Sequence, residues 1–196
     1  MLPILIAWGL PISTMAIVGN LIFAQFLTAF IFVATILFTC DLVGISNLFT
    51  FAFPLVKDIT NAIKEVTSVP IAIGGAHPSI ETERVLQSSQ IDYAVISEGE
   101  YTILNLVKYL ENGSGLDKID GIGYKIQDKV VINPKTQFIR NLDELPFPRR
   151  DMLPMENYFK AKEAHGAVKE NKWTPVITSR GCPFNCSFCP TSNIWH

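Results

Sequence analysis

The first 40 residues contain no Asp, Glu, Lys, Arg or His. All 16 Lys and Arg and all 18 Asp and Glu fall between Asp41 and His196. The formal net charge is −2 and no basic block interrupts the chain, which argues against nucleic acid as a partner. Cysteine is scarce. Of four, Cys40 stands alone and Cys182, Cys186 and Cys189 are packed together. Three thiols in one short stretch, with a single distant partner, do not make a disulfide framework. They have the character of metal or cluster ligands in a reducing compartment, which implies a cytoplasmic setting. Internal repeats are lacking, and the composition excludes disordered, collagen-like and disulfide-scaffold classes.

The uncharged leader has two readings. Leu21 to Cys40 is broken only by Gln25, Thr28, Thr35 and Thr39, and as a helix would span about 30 Å, the thickness of a bilayer core. Leu2 to Val18 is a second apolar stretch containing Pro3, Gly9 and Pro11. No positive n-region and no clear cleavage site support a secretory signal. The leader is therefore read either as a transmembrane helix or short hairpin, giving membrane association, or as residues not native to the fold, the mis-framed end of a gene fragment.

From Asp41 onward the pattern is strand, helix, strand, helix. Leu42 to Ser46, Pro70 to Ile73 and Tyr93 to Ile96 are short apolar runs suited to buried parallel strands. Helices are predicted from Pro54 through Val66 on Val56, Ile59, Ile63 and Val66, from Ile80 to Ser88 with Glu81 and Glu83 in the first turn, and from Tyr101 to Glu111 on Ile103, Leu104, Val107 and Leu110. This rhythm predicts an α/β domain with a doubly wound parallel sheet over residues 41–118. Ligands of such sheets bind beyond the carboxyl ends of the strands. Those ends are Ser46 to Thr50, Gly74 to Pro78 and Ser97 to Glu100, all rich in small or polar residues. A β-hairpin around Gln127-Asp128-Lys129 and a proline-containing linker are expected over 119–172, and a further strand, Pro175 to Thr178, over the start of 173–196.

Cys182, Cys186 and Cys189 have the spacing C-x3-C-x2-C. Three thiolates can hold three irons of a [4Fe–4S] cluster and leave the fourth open to an outside ligand. The bland alternative is a zinc site completed by Cys40 or His196.

This loop, with Phe188 just before its last cysteine, resembles the signature of the radical S-adenosylmethionine enzymes. Asp41 to Ser46, Ile73 to Pro78 and Ser97 to Thr102 resemble the flavodoxin-like cobalamin-binding domain that precedes the radical domain in one subclass. Leu145 to Asp151 resembles that subclass's linker. The resemblance covers about residues 41 to 196. It implies three cofactors: a [4Fe–4S] cluster on the three cysteines, S-adenosylmethionine with Phe188 near its adenine, and cobalamin. Candidates for the cobalamin face are Ser46, Thr50, Gly74, Gly75, His77, Ser97, Glu98, Gly99 and Thr102. The implied activity is reductive cleavage of S-adenosylmethionine to a 5′-deoxyadenosyl radical, with methyl transfer to an unreactive carbon as one outcome. A small-molecule substrate and an electron donor such as a flavodoxin or ferredoxin would be its partners. Pro175 to Thr178 would be the first strand of a partial (β/α) barrel. Against the family pattern the chain is expected to be incomplete at both ends. No Asp-x-His-x-x-Gly run is present for a histidine beneath cobalt, and Glu98 and Glu100 are read as anchors of backbone amides before an acid/base pair. The alternative function is a non-catalytic module that holds cobalamin or a nucleotide-like ligand.

Overall fold

A computed structural model describes residues 40–161, 170, 172–174, 176–184 and 186–195. The apolar leader, Cys40 excepted, lies outside them, as do His165, Pro175 and His196. Among the described residues no helix is long and apolar enough to cross a membrane.

The core is a five-stranded sheet in the order β1 (Val43–Ser46), β2 (Ile71–Gly74), β3 (Tyr93–Val95), β4 (Ile122–Ile126), β5 (Lys129–Asn133). The pairs β1–β2 and β2–β3 are parallel; β3–β4 and β4–β5 are antiparallel. The three strands expected over residues 41–118 are thus parallel to one another, and the hairpin beyond them makes the whole sheet a mixed one. The hairpin expected beyond residue 118 joins the same sheet, with Tyr93 opposite Tyr124 and Val95 opposite Ile122. Its turn residues Gln127 and Asp128 both have positive φ, the geometry that matches the twist of a two-residue hairpin.

Alternation along the strands sorts the apolar residues onto two faces. Val43, Ile45, Ile71, Ile73 and Ala94 pack with Phe53, Val56, Val85, Leu86 and Ile91 on one face. Ala72, Tyr93, Ile122 and Tyr124 pack with Leu106, Ile103 and Tyr109 on the other. Helix α1 (Phe53–Val66) turns Phe53, Val56 and Thr60 inward at helical spacing, and Pro54 sits in its first turn, where no N–H is needed. Lys64 in its last turn reaches Asp92 at 2.7 Å, and the same Asp92 oxygen accepts the Ile71 amide, which fixes the entry to β2.

The helix expected over 80–88 is two pieces, α2 (Ala76–Ile80) and α3 (Thr82–Gln87). The chain turns helical four residues early because Pro78 lies in the first turn of α2, a position proline tolerates. Helix α4 (Glu100–Asn112) buries Leu106 on the opposite face of the sheet and ends at Gly113 in the left-handed region. Short helices α5 (Met155–Ala161) and α6 (Thr191–Ile194) follow.

Of the strand expected at Pro175 to Thr178 as the start of a barrel, Pro175 lies outside the described residues, and among the described ones no strand forms there. Val176 to Thr178 belong to no strand, and Val176 and Ile177 are exposed. A run rich in β-branched residues becomes a strand only beside a hydrogen-bonding neighbour, and none of the described residues supplies one.

Candidate functional site

The three loops at the carboxyl ends of β1, β2 and β3 are fastened to one another. After β1, the Asn47 amide donates to Gly74 O at 2.8 Å, and the Asn47 side-chain oxygen accepts the Phe49 amide at 3.2 Å. After β2, Gly75 adopts φ 108° and ψ −173°, a region essentially reserved to glycine. Its Cα lies so close to β1's loop that a Cβ there would come within 2.6 Å of Asn47 O. The His77 amide donates to that same carbonyl at 3.2 Å. After β3, Ser97 takes a left-handed φ of 64°. Its amide donates to Ser79 Oγ at 2.8 Å, and the Ser79 hydroxyl donates to Gly75 O at 2.7 Å.

Buried polar atoms without partners are uncommon in folded proteins and call for an explanation. Among the described residues the side-chain atoms in that position are Asn47 Nδ2, His77 Nε2 and Glu100 Oε2: Asn47 lies in the loop after β1, and His77 and Glu100 in the first turns of the helices that follow β2 and β3. Asn47 is 2% exposed and His77 4%. The His77 ring lies against Phe53, centroids 4.8 Å apart, with Nδ1 3.2 Å from Thr50 Oγ1. Burial pushes its pKa below the ordinary 6.5; Glu81 opposes the shift and Arg84 adds to it. The imidazole is therefore neutral near pH 7.

That shift has a consequence for stability. The unfolded chain takes up the His77 proton near pH 6.5, whereas the folded chain resists it. Below that pH the unfolded state binds more protons, so stability falls as pH drops from about 6.5 through the lower folded value. Urea unfolding of the His77→Gln variant between pH 7.5 and pH 5 should show a flatter pH dependence than wild type. An unchanged slope would remove His77 as the source.

Glu98 is 4% exposed and bound at both oxygens: Oε2 accepts the Ile139 amide at 2.7 Å, and Oε1 accepts Arg180 Nη1 at 3.0 Å. The second Arg180 nitrogen donates to Glu100. Burial works against the Arg180 charge, but the Glu100 and Glu98 carboxylates outweigh it and hold the guanidinium above its ordinary pKa. Glu98 is buried while Arg180 stays partly exposed, so the guanidinium is what balances the Glu98 charge. Glu98 is thus an anchor of a backbone amide, and of a guanidinium as well. A groove of about 1120 Å3 opens beside it, between residues 135–143 and Thr178 to Arg180, with Trp195 at its edge.

The structure brings Thr50, Gly75 and His77 together and ties Ser97 to them through the Ser79 relay, while Glu98 is bound to the Ile139 amide and Arg180. Ser46 is exposed at the end of β1. Gly74 meets Val95 at an ordinary distance, and Gly99 precedes α4, where a Cβ would come within 3.1 Å of Val95 Cγ1. Thr102 does not face the other loops: its hydroxyl donates to Asp120 O at 2.8 Å and accepts from Lys135 Nζ at 3.2 Å. Sequence reasoning missed Asn47, Arg180 and Trp195. For Asn47 a signal was present, since it lies inside the first strand-end loop.

The cysteines sit apart on an exposed loop. Cys182 and Cys186 are exposed and Cys189 half-buried, and none forms a disulfide. The Cys189 amide donates to Cys186 O at 3.0 Å, and hydrogen bonding by the Thr191 hydroxyl and amide holds the Cys189 thiol below its ordinary pKa. Phe188 is 87% exposed. Among the described residues no three His, Cys, Asp or Glu side chains converge to hold a metal. The donor set fits an iron–sulfur cluster by chemistry, three soft thiols within eight residues, while the loop does not gather them.

An α/β domain whose strand-end loops carry unpartnered polar atoms is the architecture of a cofactor-binding domain, and comparison with known proteins names the cofactor class. Residues 24–107 match the B12 binding domain family, a match that begins inside the stretch read as an apolar leader. The chain carries this domain and is a relative of the cobalamin-dependent radical S-adenosylmethionine enzymes. It is 38% identical to the uncharacterized methyltransferase PH0819 of Pyrococcus horikoshii, over 79% of this chain and 32% of that protein. It is 29% identical to the cytidylyl-2-hydroxyethylphosphonate methyltransferase of Streptomyces wedmorensis, over 79% of this chain and 33% of that one. A solved structure of OxsB, a cobalamin-dependent S-adenosylmethionine radical enzyme with aqua-cobalamin bound, aligns with TM-score 0.50 and 28% identity over 62% of this chain and 18% of its own. The chain spans about a third of the length of these curated relatives.

Proposed function

We propose that this chain is the cobalamin-binding and cluster-loop portion of a cobalamin-dependent radical S-adenosylmethionine enzyme that transfers a methyl group to an unreactive carbon. The observation that carries the reading is the strand-end face, where Asn47 Nδ2, His77 Nε2 and Glu100 Oε2 are buried without partners in a domain that matches the B12-binding family. Two relatives named as methyltransferases support the reaction type.

The residues present fit a corrinoid. Asn47 offers a donor to its polar periphery. His77, neutral and braced by Thr50 and Phe53, offers a ring nitrogen whose role depends on the tautomer. Gly75 removes the side chain that would separate the first two loops. Cys182, Cys186 and Cys189 would hold a [4Fe–4S] cluster, and Phe188, just before the last of them, would lie near the adenine of S-adenosylmethionine. When bound, the cluster would supply the electron that cleaves S-adenosylmethionine to a 5′-deoxyadenosyl radical, and cobalamin would carry the methyl group. A flavodoxin or ferredoxin is the fitting electron donor.

Anaerobic titration with hydroxocobalamin, followed by absorption, tests the reading. Wild type should retain the corrinoid, and Asn47→Ala and His77→Ala should each weaken it up to about tenfold, the worth of one hydrogen bond. Absence of binding by the wild-type chain would refute the proposal.

A further inference from the structure

We infer that Arg180 is a positioning residue that docks the cysteine loop onto the strand-end face, and so sets how the cluster ligands stand toward a corrinoid held there. The second half of this inference rests on the function proposed above. Arg180 lies two positions before Cys182, so whatever fixes its guanidinium fixes the root of the loop. Two carboxylates from the loop after β3 grip it, Glu98 at 3.0 Å and Glu100, and the Trp195 ring lies 5.1 Å from it.

The other end of the loop returns to the same place. The Ser97 hydroxyl donates to Ile194 O, and Ile194 is buried. Arg180 before the cysteines is thus tied to Glu98 and Glu100, and Ile194 after them to Ser97, with Trp195 against the Arg180 guanidinium. Between these ties the loop is open: Cys182 and Cys186 are exposed, and Phe184 and Phe188 are 72% and 87% exposed. The base is clamped and the tip is left free for its ligands.

Glu98 adds a third connection through the Ile139 amide, which brings the linker into the same junction. An arginine suits this place because its planar fork serves two carboxylates at once, whereas a lysine ammonium offers a point charge. Arg180 itself is no ligand. Its effect on the cluster is through geometry.

The test uses the full 196-residue chain reconstituted anaerobically with iron and sulfide, as wild type, Arg180→Gln and Arg180→Lys. In Arg180→Gln the amides of Cys189 and Trp195 should exchange with solvent about tenfold faster, while those of Ile73 and Ala94 in the sheet hold still. Iron content should be unchanged. With cob(II)alamin added as a probe, its EPR signal in wild type should be broadened by the reduced cluster, the broadening lost in Arg180→Gln and partly regained in Arg180→Lys. Unchanged exchange at Cys189 and Trp195 would overturn the docking. Faster exchange with unchanged broadening would overturn the positioning role. If the wild-type chain takes up no cobalamin, the proposed function fails on that result, and the exchange comparison, which needs no cobalamin, still supports or overturns the docking.

Discussion

Replacing Gly75 by alanine should destabilise the chain by about 4 kcal/mol and weaken cobalamin retention by up to about a hundredfold, the two contacts of Asn47 and His77 together. Two costs combine. A non-glycine residue held at this φ and ψ is strained by roughly 1–3 kcal/mol. A Cβ 2.6 Å from Asn47 O and 2.9 Å from Asn47 C meets backbone, which cannot swing aside as a side chain would, and overpacking of this kind costs about 1–3 kcal/mol more. Relief requires the first two strand-end loops to part, which breaks the His77 amide bond to Asn47 O and misplaces the neutral imidazole. The neighbouring glycine is the control. A Cβ on Gly74 would meet Val95 Cβ at 3.7 Å, an ordinary contact, and Gly74 has no positive φ, so Gly74→Ala should stay within about 1 kcal/mol of wild type. Urea denaturation of both variants checks the contrast; similar stabilities for the two would contradict it.

The second large effect is on iron. A Cys182→Ala/Cys186→Ala/Cys189→Ala variant should lose all iron after anaerobic reconstitution and with it the brown colour. Its folding stability should move by no more than about 0.5 kcal/mol, as expected for substitutions on an exposed loop. The pairing of total cofactor loss with an intact fold separates ligand cysteines from structural ones. Iron and sulfide analysis beside an unfolding curve measures both. Iron retained in the triple variant would refute the assignment. Zinc in place of iron in wild type, with cobalamin still bound, would favour the non-catalytic binding module.

The elements were legible where local periodicity and burial agree. Val43 and Ile45 lie in a strand, Gln127-Asp128 marks a turn, and Val56 and Ile63 of the expected helix pattern Val56, Ile59, Ile63 and Val66 face the core, whereas Ile59 and Val66 are exposed and Phe53 and Thr60 take the inward places. Val176 to Thr178 belong to no strand although the run is rich in β-branched residues, because such residues carry a preference and a strand needs a partner. The mixed sheet was illegible for a related reason: nothing local tells Ile122 whether its neighbour runs parallel or antiparallel. At the site, the loops were readable as strand ends, while the burial of Asn47 was not, since an asparagine after a strand is usually solvated. The Arg180–Glu98 contact joins residues 82 positions apart and leaves no trace in either local sequence.

The relay from Ser97 through Ser79 to Gly75 carries one more implication. Three loops cross-strapped by their own hydrogen bonds have already surrendered their freedom during folding. A ligand arriving at such a face has little chain left to order, so its contacts appear more fully as affinity. The left-handed Ser97 is then the cost of preorganisation, met once by the protein and not again at each encounter.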